Sequence, residues 1–375
     1  MKRSISQILL ATFGATAILW FLSGIAAPAQ EVVIPSALPV ESAVESAVTE
    51  SPSSQPVPAT SGYWIVGSHA SPQSFDDSVP VFCSSVTHYD RCAGFRRTDM
   101  QELSDAIQPG VPVCIVCHGS FVSWEDVLKE SRETWQWLHY ACPNHPVQMI
   151  YFSWPSDRPI FSPVVQFNVN CLGRRAGRNG FYMASLVQKL PSECPICLMG
   201  HSHGTRVITS SLHLMGGGEV DGYRLAPGPF PQHRLRAVFA ASAMDHNWMN
   251  QGYRYDRALC SVECILNLQN QSDAALTIYP LRHPFSGGAL GYTGVMRKDR
   301  RHLGPYGHKI QDWDLTEEIG RGHYWPNYFR KPWLAKAIRS YLFFDENTCT
   351  TNADTALGNL DKESQFLVEQ RAVAR

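Results

Sequence analysis

The residues with the plainest chemical potential lie in "CPICLMGHSHGTRVI", positions 194 to 208. There a short apolar run breaks into Gly200-His201-Ser202-His203-Gly204 and resumes in a helix-compatible pattern. A Gly-x-Ser-x-Gly stretch between a buried strand and a helix lifts the serine hydroxyl on a sharp, strained turn, and the flanking glycines let strand and helix approach. At a helix N-terminus the next amide, that of His203, is placed to donate to a developing oxyanion, and the helix dipole favours that charge. His201 and His203 also invite a metal reading. Gly204 and Thr205 follow, however, with no carboxylate or further histidine at ligand spacing, so the stretch reads as a nucleophile and not as a metal site.

A serine nucleophile needs a base, an acid to orient that base and two amide donors. The stretch "GHSHGTRV" resembles the nucleophile turn of the α/β-hydrolases, and that resemblance implies the chain order serine, acid, histidine. Asp273, in "NQSDAAL", follows the apolar run "VECILNL" and is the expected acid. Asp245, after the preceding run "LRAVFAAS", is the alternative acid. The histidines beyond the acid are His283, His302, His308 and His323. His323 lies in "RGHYWPNYF", after "KIQDWDL" and before "PWLAKAIRSYLFF", which reads as the final helix, and is the expected base. His283 and His308 fall in a Gly-rich insertion. The same resemblance implies a second amide donor in the loop after "VPVCIVC", from Gly119 or Ser120, with His118 ordering that loop. Phe121 and Trp154, with Pro155, are candidate walls of the substrate cleft; packing in the core is an equal alternative for Trp154.

These residues must be carried by elements that end near one another. Continuous apolar runs at 111 to 117, 147 to 154, 194 to 199, 235 to 242 and 262 to 268 suit strands covered on both faces. Between them, "SWEDVLKESRETWQWLHYA", "GFYMASLVQKL" and "TRVITSSLHLM" read as helices, the first capped by Ser123. Strand and helix in alternation predict a mostly parallel sheet flanked by helices, with chemistry beyond the carboxyl ends of the strands. The candidate residues follow those runs.

The stretches "CHGSF", "YFSWPSD", "GHSHGTRV", "NQSDAAL" and "GHYWPNYF" resemble the α/β-hydrolases of the serine esterase and lipase type, and more narrowly an uncharacterised bacterial branch of them. The resemblance covers roughly residues 110 to 344. It implies the α/β-hydrolase fold, cleavage of an ester substrate through an acyl-enzyme intermediate, and no metal or organic cofactor. It does not identify the ester. A catalytically inactive hydrolase fold serving as a binding module, and an acyltransferase using the same residues, are the alternatives.

The whole chain, 375 residues with 44% hydrophobic content, can fill a large core, and 32 basic against 33 acidic residues give no field that would draw a nucleic acid. Lys2 and Arg3 precede an apolar run from Ile8 to Ala27 that ends in Ala27-Pro28-Ala29, so residues 1–29 read as a signal peptide for export to the periplasm or beyond. An uncleaved segment attaching the protein to a membrane is the alternative. Residues 30–61, rich in Pro, Ser and Ala, read as a disordered linker, residues 62–345 as the hydrolase domain and 346–375 as a polar tail.

Eleven cysteines leave at least one unpaired. Cys83 and Cys92 flank a polar loop and could bridge. Cys114/Cys117 and Cys194/Cys197 have zinc-ribbon spacing but sit in apolar runs, where residues three apart face opposite sides, and read as small buried hydrophobes. Two Gly- and Pro-rich insertions, 216 to 233 and 281 to 308, carry Tyr223, Phe230, Phe285 and Tyr292 and read as lids or substrate loops.

Overall fold

The computed structural model describes residues 61–74, 80–141, 145–157, 165–226, 233–282, 286–346 and 348–349. The export segment expected over residues 1–29 and the linker expected over 30–61, except Ser61, lie outside this set. Among the described residues no helix is long and apolar enough to cross a membrane.

Among the described residues nine strands form one sheet: β1 (Gly62–Gly67), β2 (Ser85–Asp90), β3 (Gly94–Thr98), β4 (Val113–Cys117), β5 (Gln148–Ser153), β6 (Ile196–His201), β7 (Leu235–Ala240), β8 (Cys264–Gln269) and β9 (Ile310–Asp314). Their order is β3-β2-β1-β5-β4-β6-β7-β8-β9. From β1 to β9 all neighbours are parallel, and the β2–β3 hairpin extends one edge antiparallel. In β4, β6 and β7 every residue is buried, which is why these segments read as unbroken apolar runs. The hairpin, half-exposed and partly charged, has no such signature.

Helices α1 (Met100–Ala106), α2 (Trp124–Ala141), α3 (Val165–Val187) and α4 (His203–Met215) cover the sheet. Leu103 of α1, Leu172 and Tyr182 of α3 and Val207 and Ile208 of α4 join Val113, Ile115 and Cys117 in one core. Val127, Trp135 and Leu138 of α2 pack on the other face with Cys114, Val116, Leu334, Ile338 and Tyr341. Cys114 and Cys117 thus fall on opposite faces, both fully buried.

Helix α3 starts before the expected 180 to 190 because its glycines are sites of close approach, not breaks. A Cβ on Gly180 would stand 2.5 Å from Ser210 Cβ of α4, so the two helices pack almost backbone to backbone. The final segment, read as one helix, is two, Pro332–Ala337 and Arg339–Phe343, with a turn at Ile338.

Cysteine pairing also departs from expectation. Cys83 and Cys92 are both free and exposed. Cys83 precedes β2 and Cys92 follows it, and a six-residue strand holds its ends roughly 20 Å apart, far beyond disulfide reach. Cys264 of β8 instead bonds Cys349, tying down the beginning of the segment expected to fray. Nearby, the buried Arg236 donates to the carbonyls of Ser340 and Asp345 (2.9 and 3.0 Å) and to Glu263, so the chain end is held by charge-assisted hydrogen bonds as well.

Candidate active site

The centre of the sheet ends in the turn that carries Ser202. Strand β6 stops at His201, helix α4 starts at His203, and Ser202 between them has φ 52° and ψ −123°, a conformation that costs a non-glycine residue of order 1–3 kcal/mol. Its amide donates to Ala240 O of β7 (3.0 Å), and its carbonyl accepts from Thr205 Oγ1 (2.7 Å), so the surroundings hold the strained turn in place. A Cβ on Gly204 would lie 2.3 Å from Cys117 O and 2.6 Å from His118 O. Only glycine lets α4 start so close to β4. As the first residue of α4, His203 has an amide with no acceptor inside the helix.

The loop after β4 approaches this turn closely. A Cβ on Gly119 would stand 3.0 Å from Ser202 Cβ, and Ser120 Oγ is 2.6 Å from His203 Nδ1, which joins the two loops. The Phe121 amide is taken by Ser156 O (2.8 Å), leaving Gly119 and Ser120 as the loop's candidate donors. Phe121 itself has φ 63° and a side chain 45% exposed, placing it at the rim.

His118 shows why the loop holds its shape. A carbonyl can only accept, so the 2.9 Å contact with Gly119 O places the proton on Nδ1, and Nε2 then accepts from the Trp154 amide (3.2 Å). Burial lowers its pKa to about 4, so the ring stays neutral. Trp154 differs from the cleft-wall expectation: fully buried, it stacks on the His118 ring and donates Nε1–H to His118 O (2.9 Å). It supports the loop from behind, because an indole that is large and apolar fits the core and its one N–H finds a carbonyl there.

Opposite the turn, His323 Nε2 lies 3.0 Å from Ser202 Oγ and its Nδ1 lies 2.8 Å from Asp273 Oδ2. The carboxylate can only accept, so Nδ1 carries the proton and Nε2 is free to take one from the serine. Asp273 is fully buried, and its other oxygen accepts from the amides of Ala275 and Leu276 (both 2.9 Å) at the start of the short helix Ala274–Thr277. That cap fixes the carboxylate before it meets the imidazole. Asn270 donates to Gly320 O (2.8 Å) and so ties the loop that leads to His323.

Asp245, the alternative acid, points elsewhere: it pairs with the Arg282 guanidinium and accepts weakly from the Gly287 amide (3.4 Å). His302 and His308 are exposed on segments before β9, His302 bonding Lys298 O, and His283 lies outside the described residues. The insertion around them is not irregular throughout, for it contains the helices Leu290–Thr293 and Arg297–Leu303. Tyr292 packs half-buried against the core and Tyr223 pairs with Val220, while Phe230 and Phe285 lie outside the described residues.

Sequence reasoning missed two positioning residues. His201 Nε2 donates to His323 O at 2.5 Å, and Ser156, beside His118, holds the amides of Phe121 and Val122. Histidine flanked by glycine and serine gave no signal of its own beyond the discarded metal reading.

A parallel sheet flanked by helices, a strained strand-turn-helix serine and an acid and histidine following in that order make one architecture. The fold is that of the α/β-hydrolases. No family model matches the sequence, and no curated protein does. Among solved structures, the chain is similar to EstE1, a thermophilic and thermostable carboxylesterase cloned from a metagenomic library, with 10% identity over 76% of this chain and 90% of that one and a TM-score of 0.33.

Proposed function

We propose that the protein is an exported serine hydrolase that cleaves carboxylic esters through an acyl-enzyme intermediate. One observation carries the reading: Ser202 Oγ, His323 Nε2 and Asp273 Oδ2 form a continuous hydrogen-bonded chain, at 3.0 and 2.8 Å, on a strained turn at a helix N-terminus. His323 takes the Ser202 proton as the hydroxyl attacks the ester carbonyl, and Asp273 stabilises the imidazolium. The amides of His203 and of Gly119 or Ser120 meet the oxyanion. His323 then returns the proton to the leaving alcohol, and water repeats the sequence on the acyl-enzyme. Exposed apolar side chains accompany each part of the site: Phe121 beside Ser120, Tyr324 beside His323 and Ile278 after Asp273. They favour an apolar acyl or aryl group at the mouth.

A fluorophosphonate probe tests the reading, because only an activated serine is phosphonylated. Stoichiometric labelling of the protein at Ser202, lost in His323→Ala, is expected; an unlabelled, fully folded protein would instead make it a binding module. Product partition in the presence of an added alcohol separates hydrolysis from acyl transfer. Mass spectrometry of the exported chain tests the leader, with a mature start near Gln30 expected.

A further inference from the structure

Beside the candidate nucleophile lies a concentration of positive charge that the proposed chemistry does not use. Three guanidiniums surround the indole of Trp248: Arg206 at 4.6 Å, Arg254 at 4.8 Å and Arg282 at 5.1 Å from the ring centroid. Among the described residues one carboxylate, Asp245, makes an ion pair with any of them, and it pairs with Arg282. Arg282 also lies over the Tyr279 ring at 4.2 Å.

Arg206 is the telling member. It is 4% exposed, held between α4 and α3, and donates Nε–H to Tyr255 Oη at 3.1 Å. Its guanidinium makes no other hydrogen bond among the described residues. A guanidinium carries five N–H donors in a plane, and the face of an indole supplies no in-plane acceptor for the rest. A buried cation without an anionic partner is costly, so a fold that keeps one has a use for it. Glycines clear its place: a Cβ at Gly173 would stand 2.7 Å from Arg206 Nη1, and one at Gly177 3.0 Å from Tyr255 Oη.

The cluster borders the candidate active site. The same Cβ position at Gly173 lies 3.3 Å from His203 Nε2, and the other nitrogen of that ring is bonded to Ser120 Oγ. Arg206 is in the first turn of α4, and Asp245 and Trp248 follow β7, so the group sits beyond the carboxyl ends of β6 and β7, where this fold class binds ligands. Burial lowers the His203 pKa to about 3, with Arg206 and Arg282 adding to the effect; burial also lowers that of Arg282, opposed by Tyr279 and Asp245 and assisted to a smaller extent by Arg206 and Arg254.

We infer that Arg206, with Arg282 and Arg254 around Trp248, forms a subsite for an oxyanion group, a carboxylate or a phosphate, carried by the ester that Ser202 attacks. The inference rests on the proposed ester hydrolysis and narrows it to anionic esters. The guanidinium fork matches either group, and charge-assisted bonds made out of bulk water discriminate strongly against a neutral isostere.

Two nearly isosteric substrates, 4-carboxyphenyl butyrate and 4-carbamoylphenyl butyrate, test it. In the wild-type protein kcat/KM is expected to favour the carboxylate by at least about tenfold. Arg206→Gln should bring the ratio to about one, and Arg206→Lys, which keeps charge but loses the fork, should leave it in between. A purely structural Arg206 would lower both substrates together and leave the ratio unmoved. Calorimetric titration of Ser202→Ala with the two esters provides a readout independent of turnover and of whether the Arg206 variants fold. Tighter binding of the carboxylate ester, with neither ester cleaved by the wild type, would refute the hydrolase and retain the subsite. Equal binding of the two esters, or a wild-type kcat/KM ratio near or below one, would overturn the subsite alone.

Discussion

His201 Nε2 donates to the backbone carbonyl of His323 at 2.5 Å, so the residue that precedes the candidate nucleophile holds the main chain of its candidate base. Burial, with His323 close by, lowers the His201 pKa to about 3, and the ring works as a neutral donor. His201→Leu removes that donor and leaves the carbonyl unpaired. We expect kcat to fall by roughly ten- to a hundredfold with KM little changed, because a displacement of about an ångström at a reacting group has effects of this size. His201→Gln, able to donate again, should recover part of the loss; steady-state kinetics of the two variants checks this.

Ser202→Ala and His323→Ala should each lower turnover by roughly ten-thousandfold or more, and the double variant should be scarcely worse than either. The two groups share one proton and cannot contribute independently. Full additivity in a double-mutant cycle would show that they act separately.

The two aspartates should fail differently. Asp273→Asn keeps an oxygen for the Ala275 and Leu276 amides but turns a donor toward His323 Nδ1, reversing the tautomer, so activity should drop by roughly ten-thousandfold with a small change in Tm. Asp245→Asn breaks a buried pair with Arg282 and should destabilise the fold by about 3–5 kcal/mol. Denaturant unfolding together with kinetics separates them.

Gly204 and Ser202 should part stability from activity two positions apart. Valine at 204 would drive a side chain into the carbonyls of Cys117 and His118, 2.3 and 2.6 Å from its Cβ, and should lose more than about 2 kcal/mol of stability. Ser202→Ala should unfold at the wild-type denaturant midpoint, since it removes a hydroxyl from an otherwise unchanged turn.

Glu130, on α2, accepts from Tyr151 Oη (3.1 Å), and burial, with Asp126 and Glu133 adding, pushes its pKa up to about 7 from an ordinary 4.5. The folded protein therefore holds this proton more tightly than the unfolded chain does. Its contribution to stability is fully present below pH 4.5 and is lost as pH rises through about 7. Glu130→Gln, neutral throughout, should flatten that part of a Tm-against-pH curve.

The parts of this fold most legible in the sequence are those buried on both sides. "VCIVC" and "ICLM" contain only residues that suit a covered strand, and the turn after the second has one serine between two glycines. The β2–β3 hairpin was hidden because Arg96 and Arg97 on an exposed edge look like loop. The part of α3 before Gly180 was hidden because Gly173 and Gly177 look like helix breakers until their neighbours across the interface are known. Trp154 was ambiguous for a different reason: an aromatic residue after a strand serves a cleft and a core equally well, and only its hydrogen bond to His118 O decides between them. Arg206, in an apolar helical pattern, gave no sign that its charge is buried.

The Cys264–Cys349 bond has a topological consequence. It closes a loop with a sequence separation of 85 that contains both Asp273 and His323, while Ser202 stays outside it. A protease that cuts the main chain at an exposed point inside the loop, such as Tyr306, would produce two fragments that remain one covalent molecule. Asp273 and His323 would stay tethered to the same covalent unit as Ser202. Such a nicked species would run as two bands only after reduction, and reassembly of its site would be an intramolecular event, insensitive to dilution.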